Sequence, residues 1–485
     1  VDIKGEERKM AEQRVSDYKD LAFPKGFLWG AATSAYQVEG NCQNCDWWHW
    51  EYDHPGFIID GTKSGLAADH YNRFEEDFAL ASRLGHNAYR FSIEWSRIEP
   101  EEGVWDYAEV DHYRRVLESL HKYGMTPLVT LFHWTNPWWI AKKGGWLNPE
   151  IVDYVTRYAA FVAGELGDLV PVWFTLNEPM VLSILMYGLG TIPPFKSGAE
   201  TARPVALHEL EAHTRMYQAV HEATKNNSIV GIVQNLECIE PANEQSADDR
   251  ELARQLDLSS NEFVLAAVDT GVMGPPWGDG EEVPGLKGSW DAIGINYYSR
   301  SLVDAERKLR PQEDQVASSE GDLLTASEEL MRRRRDIAKT AAEINSPYFS
   351  PWSDTGYHPE GLYKEVMRVS KYGRPIYITE NGIHTLDDKE RNRHLVQHLR
   401  QAHRAIQDGA DLRGYCYWSL LETWEWSLGH LGHMGMWALE PETLNRLPRP
   451  VAYLFRDIAK RNTISAEQLK EYASDQREIR SESWT

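Results

Sequence analysis

Two glutamates carry the strongest chemical signal in the sequence. Glu178 stands in the run Thr175-Leu176-Asn177-Glu178-Pro179, and Glu380 in Ile378-Thr379-Glu380-Asn381-Gly382. Each ends an apolar stretch, where a charged side chain is costly without a partner or a task. Each is followed closely by a residue that bends the chain, Pro179 in one case and Gly382 in the other. Two carboxyl groups brought together can divide the work of a displacement at carbon: one gives a proton while its neighbour attacks or activates water. One Glu alone would mean little, so what matters is whether the chain brings both to one place.

The surrounding pattern provides such a place. Eight short β-rich runs are read at Phe27–Ala32, Ala88–Ser92, Pro127–Phe132, Val172–Leu176, Ile229–Gln234, Ala292–Ile295, Pro375–Thr379 and Gly414–Tyr417. Amphipathic stretches separate them, among them Asp69–Leu84, Asp111–Tyr123, Pro149–Leu166 and Arg391–Asp408. Strands alternating with helices in this way predict an α/β fold, a single (β/α)8 barrel with enlarged βα loops. Polar and aromatic residues follow the strands repeatedly: His133-Trp134, Asn177-Glu178, Asn296-Tyr297-Tyr298 and Glu380-Asn381. That end of such a barrel is where active sites are built. Paired carboxylates at an aromatic-lined barrel mouth are the apparatus of glycoside hydrolysis.

Composition narrows the alternatives. The 485 residues include 51 Lys and Arg against 74 Asp and Glu, a formal charge of −23, and 42% are hydrophobic. So acidic a surface repels phosphate backbones and anionic lipid, which argues against nucleic acid and membrane as partners. Nineteen tryptophans and 23 tyrosines suit both a large core and the stacking of sugar rings. Four cysteines are too few for a disulfide framework, and the first 20 residues contain no apolar segment of a signal peptide, so a reducing cytoplasm is expected. Cys42, Cys45 and His49 could supply three zinc ligands, but incidental thiols on a surface loop are the simpler reading. No nucleotide or phosphate loop is present; neither a cofactor nor a metal is implied. Residues 1–20 read as a polar extension, 21–463 as the barrel and 464–485 as a polar tail. A charged insertion at about 305–345, with the run Arg332–Arg335, reads as solvated.

The longer motifs resemble the retaining β-glycosidases of glycoside hydrolase family 1, and within it the archaeal and bacterial members more than the plant enzymes. The matching segments are Phe23–Gly40, Tyr89–Arg97, Phe132–Trp134, the two glutamate motifs, Gly294–Tyr298, Trp418–Leu421 and Trp424–Trp426, in family order across nearly the whole chain. The resemblance implies that Glu178 is the general acid/base and Glu380 the nucleophile, supported by Arg90, Asn296 and Tyr298. It also implies that Gln37, His133, Trp134, Asn177, Trp418, Glu425 and Trp426 bind the sugar of a small β-glycoside or oligosaccharide.

Some segments depart from the family pattern. Its usual Asp-Asn-Phe-Glu-Trp reads Glu422-Thr423-Trp424-Glu425-Trp426, and its Arg-Phe-Gly-Leu reads His433-Met434-Gly435-Met436. The changes border the sugar pocket, leaving glucose, galactose and fucose open. The expected activity is that of an exo-β-glycosidase of β-glucosidase type. The rivals are a 6-phospho-β-glycosidase and a transglycosylase. Against the first, Glu425 is retained and no Lys occurs from Ser427 to Arg449. A non-catalytic sugar-binding barrel or a thioglucosidase would need a lost carboxylate, and both carboxylates are present.

Overall fold

A computed structural model describes residues 18–54, 56–190, 192–303, 305 and 357–472. Most of the expected N-terminal extension, nearly all of the 305–345 insertion with Arg332–Arg335, and the tail beyond 472 lie outside the described residues. Eight parallel strands close into a barrel: β1 (Leu28–Ala32), β2 (Ala88–Ser92), β3 (Thr126–Phe132), β4 (Val172–Asn177), β5 (Ile229–Asn235), β6 (Ala292–Asn296), β7 (Ile376–Asn381) and β8 (Leu412–Trp418). Each pairs with the next, and β8 returns to β1 in register from Gly414 opposite Leu28 to Trp418 opposite Ala32. The principal outer helices are α1 (His70–Arg83), α2 (Tyr107–Lys122), α3 (Ile151–Leu166), α4 (Ala199–Thr224), α5 (Phe263–Thr270), α6 (Pro359–Ser370), α7 (Asp388–Gln407) and α8 (Pro450–Arg461).

The strands match the sequence reading to within two residues. Two helices begin earlier than the apolar periodicity indicates, because aspartates cap them. Asp106 accepts from the N–H groups of Ala108 and Glu109 ahead of α2, and Asp387 from that of Lys389 ahead of α7. The segment from residue 464, read as a tail, starts as part of the fold. Thr463–Ile464 pairs antiparallel with Leu21–Ala22, and Ser465 and Gln468 form a reciprocal cap on a short helix that buries Leu469.

The barrel interior is layered, because side chains two apart on a strand share a face. Leu28, Ala88, Leu128, Val172, Phe174, Ile229, Val233, Ala292 and Tyr377 pack together as an inner apolar cluster. Two residues further along, Arg90 on β2 and Thr130 on β3 continue the same inward face. Strict alternation would then turn Leu176 inward on β4, but the β4–β5 register passes from Phe174 opposite Gly231 to Asn177 opposite Val233, so β4 carries one extra residue. Likewise β7 gains one against both neighbours: Ile378 faces Ile295 and Tyr415, whereas Glu380 faces Asn296 and Asn381 faces Tyr417. Such bulges re-aim the side chains beyond them. In both strands the extra residue falls just ahead of a glutamate, Glu178 following β4 and Glu380 near the end of β7. Gly382 follows because a Cβ there would sit 1.9 Å from the Trp418 carbonyl.

Outside the barrel, a buried charge pair anchors the long connection after β8. Arg446 donates from Nε to Asp77 Oδ1 (2.6 Å) and from Nη2 to Oδ2 (2.9 Å), while His70 Nδ1 lies 2.8 Å from Oδ2. Removing one partner strands a buried charge. Arg446→Met is therefore expected to destabilise the fold by about 3–5 kcal/mol. Replacing Asp77 by Leu in the same chain should recover part of the loss in chemical denaturation. A loss below about 1 kcal/mol for the single variant would mean that the pair contributes no more than an exposed one.

Candidate active site

At the C-terminal ends of the strands the backbone takes conformations that L-residues adopt rarely. Trp134 has φ 73°, Glu178 φ 51° and Trp426 φ 50°. All three are buried. They turn side chains over the barrel mouth that a smooth continuation of strand or helix would carry elsewhere.

One guanidinium organises the centre. Arg90, fully buried, donates from Nη1 to Glu380 Oε1, from Nη2 to Asn177 Oδ1 at 2.6 Å and from Nε to Thr130 Oγ1 at 3.2 Å. Tyr298 donates its hydroxyl to the other oxygen of Glu380 at 2.5 Å. Asn296 Nδ2 donates to Glu178 Oε1 at 2.7 Å and to Asn177 Oδ1 at 3.1 Å. Its own amide is oriented by Thr379, whose hydroxyl donates to Asn296 Oδ1 at 2.7 Å. Both glutamates are thus tied into one network, on unequal terms: a cation and a phenol bind Glu380 directly, and a neutral amide binds Glu178.

The electrostatics follow from that inequality. Burial and the nearby Glu380 push the Glu178 carboxyl up to about 8, against smaller opposing effects of Asn296 and Arg90. Burial also raises Glu380, while Arg90 and Tyr298 pull it back. The pair therefore holds its single negative charge on Glu380, where the charge-assisted bonds are, and its proton on Glu178.

Around this centre lies an aromatic cup. The His133 ring stacks near-parallel with Trp418 (centroids 6.2 Å apart) and with Trp426 (6.4 Å). Trp426 also contacts Trp134 at 5.0 Å and Trp47 at 4.6 Å, and stacks with Tyr36 at 5.8 Å. Trp134 uses its only donor inside the protein, Nε1 to the Asn177 carbonyl at 3.0 Å, so what it offers is a ring face. His133 Nε2 lies 3.3 Å from Asn177 Nδ2, whereas its Nδ1 is buried without a partner. Burial, with Arg90 nearby, keeps this imidazole well below its usual range and so neutral. Gln37 Nε2 donates to Glu425 Oε2 at 2.9 Å, and Thr423 donates to the same oxygen at 2.6 Å. Burial pushes Glu425 up to about 7. The twelve residues named for catalysis, support and sugar binding thus lie in this network or in the cup around it.

Thr379 joins them without having been singled out, and so do Thr423 and Met434, which the sequence placed only within segments bordering the pocket. Met434 packs with Trp418 and Tyr298. Thr379 and Thr423 stand one and two positions ahead of glutamates that were recognised, and that adjacency was the available signal. Glu422, in place of the family's usual Asp, is held down to about 2 despite burial by His433 and Arg449, and accepts from the N–H groups of Met434 and Gly435 at 3.0 and 3.1 Å. It pins the altered loop and does not join the cup's hydrogen bonds.

The Cys42–Cys45 segment is a loop at the surface, with Gln43 exposed, but its two thiols turn inward. Both thiols are buried; Arg97 Nη2 donates to Cys42 Sγ at 3.3 Å, and Cys45 Sγ accepts from the Trp48 N–H at 3.5 Å. His49 stacks on Trp138 at 4.0 Å. These three side chains serve packing and helix capping.

The family model of glycosyl hydrolase family 1 matches residues 19–464. Beta-glucosidase A of Thermotoga maritima is 32% identical over 466 residues, covering 91% of this chain and 98% of that protein. A beta-galactosidase of Pyrococcus woesei is 30% identical over 513 aligned positions, covering 91% and 98%. Among solved structures, the beta-glycosidase from Pyrococcus horikoshii matches with a TM-score of 0.78 at 34% identity, covering 94% of this chain and 99% of that one. The beta-glucosidase from Thermotoga maritima in complex with glucoimidazole matches at 0.77 and 30% identity, covering 91% and 99%. With its closed eight-stranded barrel and a match over nearly its whole length, the chain belongs to glycosyl hydrolase family 1.

Proposed function

We propose that the protein is a retaining exo-β-glycosidase that removes terminal non-reducing β-D-glucosyl residues from small glycosides or oligosaccharides, with galactosides and fucosides as secondary substrates. The observation that carries the reading is the unequal environment of the two buried carboxyls: Arg90 and Tyr298 on Glu380, Asn296 on Glu178. Relatives named as a beta-glucosidase and a beta-galactosidase support the substrate class.

In this reading Glu380 attacks the anomeric carbon while Glu178 gives its proton to the departing oxygen, leaving a glycosyl ester on Glu380. Esterification removes the charge that had raised Glu178, so Glu178 ionises and takes a proton from the incoming water. The acid becomes a base without moving. Asn177, held by Arg90 and Asn296, suits the hydroxyl next to the reacting carbon. His133 Nδ1, the Gln37–Glu425 pair and the indole faces of Trp418 and Trp426 suit the remaining hydroxyls and the ring. The carboxylate of Glu425 also disfavours a 6-phosphate. Four free thiols among the described residues support a reducing compartment, the cytoplasm.

Three outcomes follow from this assignment. Glu178→Gly should still glycosylate Glu380 from dinitrophenyl glycosides but stall on poorly activated ones, a loss of about 10²–10⁴-fold. Azide should restore its turnover and give a β-glycosyl azide, whereas Glu380→Gly with azide should give the α-azide. The same anomer from both variants would overturn the roles. The pH profile of kcat/KM should be bell-shaped, with an alkaline limb near pH 8 from loss of the Glu178 proton. In Glu178→Gln, assayed with a dinitrophenyl glycoside, that limb should vanish and the acid limb of Glu380 should remain. Finally, a panel of nitrophenyl glycosides differing only in the sugar should rank the β-glucoside above its 6-phosphate by about 100-fold or more. The reverse order would favour the phosphoglycosidase reading.

A further inference from the structure

Beyond the ends of β5 and β6 the chain forms a small parallel pair, Cys238–Pro241 with Arg300–Val303, and returns to it at His358, the residue that precedes α6. Here Cys238 Sγ, a carboxylate oxygen of Glu240 and a ring nitrogen of His358 all lie within 4.8 Å of one another. Among the described residues this is the one group of three or more such side chains that converges in this way. Cys238 is buried, and His358 Nε2 is buried with no hydrogen-bond partner. A ring that approaches a thiol and a carboxylate thus also keeps a buried nitrogen without the partner that buried polar atoms normally have.

We propose that Cys238, Glu240 and His358 form a structural site for a borderline-soft divalent cation, Zn²⁺, which clips the Cys238–Pro241 strand to the start of α6. The donor set selects the ion. Sulfur, imidazole nitrogen and carboxylate oxygen together suit Zn²⁺, whereas Mg²⁺ and Ca²⁺ take oxygen ligands. On binding, the thiol releases its proton to solvent and sulfur coordinates as the thiolate.

The local cations set the terms of binding. Glu240 is engaged by Lys364 at Oε1, and Arg300 Nη1 lies 3.5 Å from Oε2; Lys364 Nζ is 4.0 Å from Cys238 Sγ. Lys364 thus stands where a dication would be attracted, and its side chain is half exposed, so it can turn to solvent when displaced. Arg300 can keep the other carboxylate oxygen. The clip also reaches toward the barrel mouth. The His358 carbonyl accepts from the Tyr297 hydroxyl at 2.6 Å, and the Tyr297 N–H donates to the Glu380 carbonyl at 3.0 Å. The proposal concerns this binding site and stands apart from the hydrolase reading.

The test uses the whole chain and Co²⁺, a spectroscopic substitute for Zn²⁺. Titration should give one equivalent bound, with the near-ultraviolet charge-transfer absorption of a thiolate–cobalt bond, and Zn²⁺ should bleach that band where Mg²⁺ does not. Zn²⁺ should also raise the melting temperature. Cys238→Ser should lose the band, and His358→Gln, at a partly exposed position, should weaken binding about tenfold or more while folding normally. Lys364→Met should tighten binding about tenfold, since it removes a competing charge. Absence of the band in the folded native chain, its persistence in Cys238→Ser, or an unchanged affinity in Lys364→Met would overturn the proposal.

Discussion

The centre of this molecule depends on keeping one guanidinium entirely out of water. Burying Arg90 costs several kcal/mol of lost hydration, recovered only if its donors meet well-placed acceptors. The chain supplies Glu380, Asn177 and Thr130 from three other strands, so the ion pair and the closed barrel are mutually dependent. If the cylinder opened, Arg90 would lose partners that no single neighbouring strand could replace. Glu380, for its part, would be a buried anion without a counter-ion. Structure and reactivity therefore share one set of bonds.

Asn177 and Asn296 extend that dependence to Glu178. Each amide has a fixed orientation because its oxygen and nitrogen face different partners: Asn177 accepts from Arg90, and Asn296 accepts from Thr379 while donating to Glu178. The two carboxyls are thereby set in relation to each other by neutral groups that do not change protonation state. When charge moves between the carboxyls, the frame holding them need not rearrange.

Much of this was legible in the amino-acid sequence. Strands fully buried in a parallel barrel read as apolar runs, and the polar residues ending them could be located to the residue. Glu178 and Glu380 were visible because nothing but function or pairing explains a carboxylate there. The bulges on β4 and β7 were not legible, since an extra residue shows itself only against the register of a neighbour. The early starts of α2 and α7 were missed because apolar periodicity does not include a capping aspartate. The spacing of Cys42 and Cys45 drew notice only as incidental thiols, and both are packed, while His358 meets the Cys238–Glu240 pair from more than a hundred residues further along the chain. Convergence of that kind is a property of the fold and leaves no local trace.

The left-handed backbones of Trp134, Glu178 and Trp426 have a consequence for how such a molecule can change over generations. Conformations of this sort cost of order 1–3 kcal/mol each in non-glycine residues, and glycine would relax them. At Trp134 and Trp426 that relief is smaller than the roughly 3–5 kcal/mol lost when a buried indole is deleted, so packing alone retains them. At Glu178 glycine would relieve the backbone and remove a buried carboxyl at once, so there a more durable fold is open and is reached only by giving up the carboxyl. A lineage that keeps Glu178 is one in which selection for its carboxyl has continued to outweigh selection for a more durable fold. Loss of that selection would be recorded first at the rim, with the barrel beneath it intact.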